Sequence, residues 1–213
     1  MQPIQIAVVP VTPFAQNCSI LWCTSTMKAA VIDPGGDLDK IRAALAETGA
    51  TVEKIILTHG HVDHAAGAAE LAESLGVPVE GPHAADQFLL DEIPASAARF
   101  GIEGARPVTP DRYFEEGETV SVGDVSLDIL HVPGHTPGHL VFVYRPLGLA
   151  IVGDTLFRGS VGRTDFPYGN PDQLISGIVE KLLPLGDNVV CLPGHGPVTS
   201  IGDERAHNPF LPR

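Results

Sequence analysis

Four side chains able to bind a metal ion fall within six residues, in Thr58-His59-Gly60-His61-Val62-Asp63-His64, directly after a run, 54–57, that reads as a strand. On extended backbone alternate side chains share a face, so His59 and His61 point the same way. Asp63 and His64 fall where the next helix begins and turn toward a neighbouring point. One loop can therefore feed two adjacent ions. Three more candidates stand in the same setting: His135 follows the strand-like run 127–132, Asp154 follows 149–152 and His195 follows 189–192. Ligands just past the ends of strands can converge on one edge of a sheet sandwich, where loops carry function.

The rest of the pattern agrees with such a sandwich. Short β-rich runs at 4–9, 18–23 and 29–32, separated by turns such as Asp33-Pro34-Gly35-Gly36, read as a meander. Leu38, Ile41 and Leu45 then recur at helical spacing, with Asp37 as N-cap and Gly49 as stop. A second helix is expected over 65–75, rich in Ala, Leu and Glu and ended by Gly76. The segment 81–110 is less regular and is expected to hold one helix and loops. Strands return at 125–130, 139–144 and 149–152; Asn170-Pro171 opens a helix whose Leu174, Ile175, Ile178 and Leu182 form one apolar face; a last strand is expected over 188–192. Two clusters of strands, each followed by helices, predict an α+β fold, an αβ/βα sandwich of two mixed β-sheets with helices on the outer faces. No repeat or linker divides the chain, and 213 residues fit one large domain, so 1–213 is expected to fold as a single unit.

Composition narrows the partners. With 26 acidic against 13 basic residues the formal charge is −13, which repels phosphate backbones and argues against nucleic acid. No stretch approaches the ~20 apolar residues of a membrane span, so a soluble protein without a membrane partner is expected. Met1-Gln2-Pro3-Ile4 carries neither a basic nor an apolar leader region, and Cys18, Cys23 and Cys191 form no C-x-x-C pair or even disulfide framework. Buried thiols in a reducing cytoplasm are the expectation. The same negative charge would repel a small anionic substrate, so any positive centre must come from a few residues or from metal.

Five histidines and two carboxylates exceed the three protein ligands that a catalytic zinc commonly takes. Two divalent ions are expected, one on His59, His61 and His135, the other on Asp63, His64 and His195, with Asp154 bridging. Zinc is expected first, with iron or manganese also compatible with mixed imidazole and carboxylate ligands. Such a pair lowers the pKa of a shared water and polarises a carbonyl, so a bridging hydroxide can attack without a serine or cysteine nucleophile. Asp63 would orient that hydroxide, which makes Asp63 and Asp154 the catalytic carboxylates.

The string H-G-H-V-D-H together with His135, Asp154 and His195 resembles the signature of the metallo-β-lactamase superfamily. Gly162-Arg163-Thr164-Asp165-Phe166-Pro167, Pro193-Gly194-His195-Gly196-Pro197 and His207-Asn208-Pro209-Phe210-Leu211 are similar to the short bacterial glyoxalase II enzymes, the hydroxyacylglutathione hydrolases. The resemblance implies hydrolysis of a glutathione thioester, S-D-lactoylglutathione, to D-lactate and glutathione. Longer glyoxalase II proteins add a C-terminal helical domain that helps bind glutathione, whereas only 18 residues follow His195 here. Arg163 stands where those enzymes carry a substrate-contacting Lys, and Arg163, Phe166 and Tyr168 are the candidate substrate-binding residues. His139 is expected to support the H-T-P-G-H turn, and His83, His131 and His207 to be ordinary histidines. The nearest alternative is a persulfide dioxygenase with one iron on His59, His135 and Asp154, which resembles this chain even in the G-R-x-D-F segment. A lactonase or β-lactamase fits the G-R-T-D-F-P segment less well, and seven intact ligands weigh against a non-catalytic module.

Overall fold

Residues 3–212 are described by a computed structural model. In the first half, β1 (Ile4–Val11), β2 (Gln16–Cys23) and β3 (Lys28–Ile32) form an antiparallel meander, and α1 (Leu38–Thr48) crosses to β4 (Thr51–Ile56), parallel to β3. Helices α2 (Val62–Ala65) and α3 (Ala68–Leu75) lead to β5 (Val79–Glu80), parallel to β4, and α4 (Gln87–Asp91) and α5 (Ile93–Arg99) follow. The second half supplies β6 (Thr119–Val122), β7 (Val125–His131), β8 (Leu140–Tyr144) and β9 (Leu149–Gly153), then a small hairpin of β10 (Leu156–Phe157) and β11 (Ser160–Val161). Helix α6 (Pro171–Gly177), β12 (Val190–Pro193), β13 (Thr199–Ser200) and α7 (Ile201–His207) complete it. The two large sheets have the orders β1-β2-β3-β4-β5 and β13-β12-β9-β8-β7-β6.

Side-chain alternation explains why these strands stack in layers, since neighbours on a strand face opposite sides. In β2, Cys18 and Ile20 join Ile41, Leu45, Leu71 and Ile93 on the helical side, while Leu21 and Cys23 face the other sheet. In β8, Leu140 and Phe142 face the first sheet, whereas Val141 and Val143 pack with Leu174, Ile178 and Ile201 beneath the outer helices. The result is three apolar layers between four layers of structure, the sandwich expected from the pattern.

Strand direction places the functional loops together. β9 and β12 are parallel, with Pro193 opposite Gly153, so Asp154 and His195 leave the sheet side by side. β8 is antiparallel to β9, which brings the 132–139 connection carrying His135 to the same end. In the other sheet β3 and β4 are parallel, so Asp33 and the 57–64 loop emerge there too. Two backbone bonds join the sheets at this edge, Leu140 N to Thr58 O at 2.8 Å and Asn17 N to Gly194 O at 2.7 Å.

Several local expectations need correction. Asp37 precedes α1, but its side chain does not cap it; Oδ2 accepts from Thr12 N at 3.2 Å and from Lys40 Nζ at 2.7 Å. The 65–75 helix is two pieces, because Gly67 turns its N–H to Pro34 O and a Cβ there would lie 2.5 Å from that oxygen. Segment 81–110 holds a 3-10 turn over Ala84–Asp86 and two short α-helices rather than one helix, the α-helices broken where Glu92 ends α4 and Pro94 enters the first turn of α5. The helix opened by Asn170, whose Oδ1 accepts from Gln173 N at 3.0 Å, widens to a π-type turn over Ile178–Leu182 while keeping its apolar face inward. The last predicted strand starts at Val190 rather than 188. Strands β5, β6, β10, β11 and β13 and helix α7 fall in segments for which no element was expected.

Candidate metal centre

All seven sequence-predicted ligands meet at this edge, in two clusters that one carboxylate joins. In the first, His61 Nδ1 lies 3.1 Å from His59 Nε2 and 2.9 Å from His135 Nε2. In the second, His195 Nε2 lies 3.1 Å and His64 Nε2 3.8 Å from Asp63 Oδ2. Asp154 stands between them: Oδ1 is 3.4 Å from His64 Nε2, and Oδ2 is 3.6 Å from His135 Nε2 and 3.5 Å from His195 Nε2.

The donor set fits divalent cations. His61 Nδ1 faces two imidazole nitrogens at once, which one ring proton does not satisfy and a shared cation does. Zinc–nitrogen bonds of about 2.05 Å place tetrahedral ligands about 3.3 Å apart, close to the spacings of the first cluster. In addition, His64 Nε2 and Asp154 Oδ1 are buried without a hydrogen-bond partner, and an orphaned imidazole nitrogen beside an orphaned carboxylate oxygen is costly unless something binds both.

The far side of each imidazole is held by oxygen. His59 Nδ1 pairs with Thr58 Oγ1 at 3.0 Å, His61 Nε2 with Tyr168 Oη at 2.9 Å, and His64 Nδ1 with Asp33 Oδ2 at 2.9 Å. His135 Nδ1 donates to the Arg163 carbonyl at 2.8 Å and His195 Nδ1 to the Phe14 carbonyl at 3.2 Å. Such partners orient a ring and fix which nitrogen is free to bind. His139, expected to support the H-T-P-G-H turn, directs its side chain to other loops: its Nε2 accepts from Asp154 N at 2.9 Å and its ring stacks on His59 at 4.6 Å.

Electrostatics separates the two clusters. Burial, reinforced by neighbouring imidazoles, holds His59 well below the ordinary histidine range and His61 at about 3, and burial lowers His135 as well. In the second cluster burial also pushes down, but Asp154 and Asp63 outweigh it and raise His64, and the hydrogen bond to Asp63 with the charge of Asp154 raises His195. Burial alone would raise both carboxyls, yet His64 and its neighbours hold Asp63 and Asp154 below the usual range.

The substrate-side candidates lie beside the first cluster. Phe166 and Tyr168 stack at 5.3 Å, and Phe166 lies 5.0 Å from the His61 ring. Tyr168 Oη is engaged by His61, so its nearest polar contact is a ring of the cluster. Arg163 is exposed, lies 5.0 Å over Phe166 and grips Asp165 with two bonds of 3.0 Å.

Two supporting carboxylates escaped the sequence reading. Asp33, in the left-handed region at φ 55°, accepts from Thr58 N, Thr58 Oγ1 and His64. Its place at the head of D-P-G-G reads as a turn, and a left-handed Asp is ordinary in turns. Asp86 is fully buried and accepts from Gly60 N, Thr136 Oγ1 and Gly138 N. Nothing in its local sequence marks it.

Residues 11–195 match the family model described as the metallo-beta-lactamase superfamily. A relative from Haemophilus influenzae, named hydroxyacylglutathione hydrolase GloC, is 43% identical over 209 residues, covering 98% of each chain. Among solved structures, the BLEG-1 B3 metallo-beta-lactamase superposes with a TM-score of 0.87 at 31% identity, covering 97% of this chain and 99% of that one. A protein designated TTHA1623, solved in a di-iron-bound form, gives 0.87 at 36% identity, covering 96% of this chain and 100% of its own.

Proposed function

Because the chain belongs to the metallo-β-lactamase superfamily and is a metal-dependent hydrolase, we propose that it hydrolyses a glutathione thioester of a hydroxy acid, using two divalent ions held by the seven side chains. The observation that carries this reading is Asp154, one buried carboxylate whose two oxygens face both clusters. His59, His61 and His135 would hold one ion, Asp63, His64 and His195 the other, with Asp154 shared. Zinc is the first choice for this donor set, and the di-iron-bound relative makes iron the main competitor. When bound, the ions supply Lewis acidity toward the carbonyl and acidify water.

The protein's own groups do the rest. Asp63 is held ionised beside His195 and can accept the proton of the attacking water while orienting it. Water oxygen forms the new bond to the acyl carbon, the carbon–sulfur bond breaks, and glutathione leaves as thiolate, which needs little protonation. Phe166 and Tyr168 provide an aromatic wall next to His61 for the acyl or thiol arm. Arg163 can exchange Asp165 for a carboxylate of the conjugate, since both partners are exposed. The identity of 43% to a hydroxyacylglutathione hydrolase over nearly the whole chain supports this substrate class. No helix among the described residues is long and apolar enough to cross a membrane. Cys18, Cys23 and Cys191 are free and buried, which supports a reducing setting such as the cytoplasm.

The test is turnover by the purified enzyme, with metal content measured by elemental analysis. Release of thiol from S-D-lactoylglutathione with close to two ions per chain is expected. Oxygen uptake on glutathione persulfide with one iron per chain, or cleavage of a β-lactam in preference to the thioester, would replace the proposal with the corresponding alternative.

A further inference from the structure

Asp86 lies outside both clusters, yet it touches the chain beside every residue of the first. Its Oδ2 accepts from Gly60 N at 2.9 Å and from Thr136 Oγ1 at 2.7 Å, and its Oδ1 accepts from Gly138 N at 2.5 Å. Gly60 is the residue between His59 and His61, and Thr136 follows His135. One carboxylate thus ties together two loops that come from different sheets. The fit is close on both sides. A Cβ on Gly138 would fall 2.7 Å from Asp86 Cγ and 2.8 Å from Oδ1, and one on Gly60 would fall 3.0 Å from Asp86 O. The glycine of H-T-P-G-H therefore gives the room that lets this carboxylate reach the 136–138 backbone, and the glycine of H-G-H gives room for Leu89, whose Cβ would lie 2.8 Å from a Cβ on Gly60, and for the backbone of Asp86 itself. Thr136 and Asp86 are both fully buried, so bulk solvent does not reach these bonds and each is strengthened by its low-dielectric setting.

From this geometry we infer that Asp86 is a positioning residue that sets the spacing of His59, His61 and His135 and so the metal affinity of the first cluster alone. The inference rests on the reading that those three histidines hold an ion. The supports of the second cluster do not include Asp86: Asp33, which also holds Thr58, bonds to His64, and the Phe14 carbonyl holds His195. A single side chain thus acts on one half of a joined centre. Asp86 touches no reacting atom, and its effect should appear in binding rather than in the protonation of the attacking water.

Replacing Asp86 by Asn keeps the shape but turns one oxygen into a donor that confronts a donor. Thr136→Val removes one of the three bonds and keeps the volume. The experiment is zinc titration of the metal-free full chain against a competing chelator, with imidazole NMR signals reporting which rings respond. In the wild type, zinc should perturb His59, His61 and His135 as one set and His64 and His195 as another. Asp86→Asn should lower the affinity of the first set ten- to hundredfold, the range for loss of a supporting hydrogen bond, and change the second by less than twofold. Thr136→Val should shift the same set in the same direction by less. Equal losses in both sets, or none in either, would overturn the assignment; if Asp86→Asn does not fold, Thr136→Val decides by the same comparison. Wild-type protein that takes no zinc at His59, His61 and His135 would overturn the metal reading itself, a result separable from any difference between variant and wild type.

Discussion

Gly194→Ala tests how tightly the centre is built. A methyl at this position would lie 2.2 Å from Asp154 Oδ1 and 2.6 Å from His64 Cε1. Carbon–oxygen contacts settle at about 3.3 Å or beyond, so something must move by about 1 Å. The backbone of Gly194 is poorly placed to yield, because its N–H donates to Gly153 O at 2.8 Å and its carbonyl accepts from Asn17 N at 2.7 Å. Those bonds join neighbouring strands of one sheet and the edge of the other. The displacement therefore falls on Asp154 and His64, the carboxylate facing both clusters and a side chain of the second. A misplacement of 1 Å in a catalytic arrangement costs on the order of 10²-fold, while overpacking costs about 1–3 kcal/mol of stability. The assay is kcat/KM for lactoylglutathione at saturating zinc, with metal content and thermal unfolding measured on the same preparation. A folded variant with about 1% of wild-type kcat/KM and weakened metal retention is expected. Wild-type kcat/KM would mean that Asp154 and His64 have slack that the geometry denies, and the role of Asp154 as the shared group would have to be withdrawn.

Asp154→Ala should lose metal and turnover together, because both clusters face the missing carboxylate; retention of two ions and full kcat would refute the two-metal proposal. Tyr168→Phe keeps the stack on Phe166 but removes the partner of His61 Nε2, so metal affinity at the first cluster should fall about tenfold, whereas a KM effect at saturating metal would assign the hydroxyl to substrate instead. Arg163→Ala should raise KM for the glutathione conjugate roughly two- to fivefold with kcat unchanged, the scale of an exposed ion pair; equal losses on a small thioester without carboxylates would mean that Arg163 shapes its loop. Acidification from pH 7 to 5 should release the second-cluster ion first. His64 and His195 have raised pKa values and must give up protons to bind, whereas His59, His61 and His135 all have lowered ones and stay neutral further into the acid range. Simultaneous release, followed by equilibrium dialysis, would contradict this order.

The two clusters were legible in the sequence because their residues are unusual in type and close in number. Four candidate ligands in Thr58–His64 and three more after apolar runs define the edge before any contact is known, and strand direction then accounts for their convergence. The supports were not legible. Asp33 precedes His64 by 31 residues and Asp86 precedes Thr136 by 50, and each sits in a segment whose local pattern describes only a turn or a short helix. The broken helix at Gly67 was hidden for a similar reason. Its cause is Pro34 O, a neighbour in space that periodicity over 65–75 does not register.

This difference has a physical origin in what each kind of residue must satisfy. A cation needs several donors of rare type at one point, so its ligands concentrate on few loops and leave a pattern. A supporting carboxylate needs only N–H or O–H donors, and every residue type but proline supplies an N–H from its backbone. Asp86 recruits two glycine N–H groups and one hydroxyl, and Asp33 recruits a backbone N–H, a hydroxyl and an imidazole. The trace such a residue leaves is in the space cleared for it. Gly60 and Gly138 stand within the two histidine motifs, and neither can itself ligate; Gly138 clears space for the Asp86 carboxylate, and Gly60 for Leu89 and the Asp86 backbone that carries it. A glycine within a ligand motif can therefore point to an unseen buried partner, and in this chain that partner is Asp86, on whose carboxylate the first cluster's spacing depends.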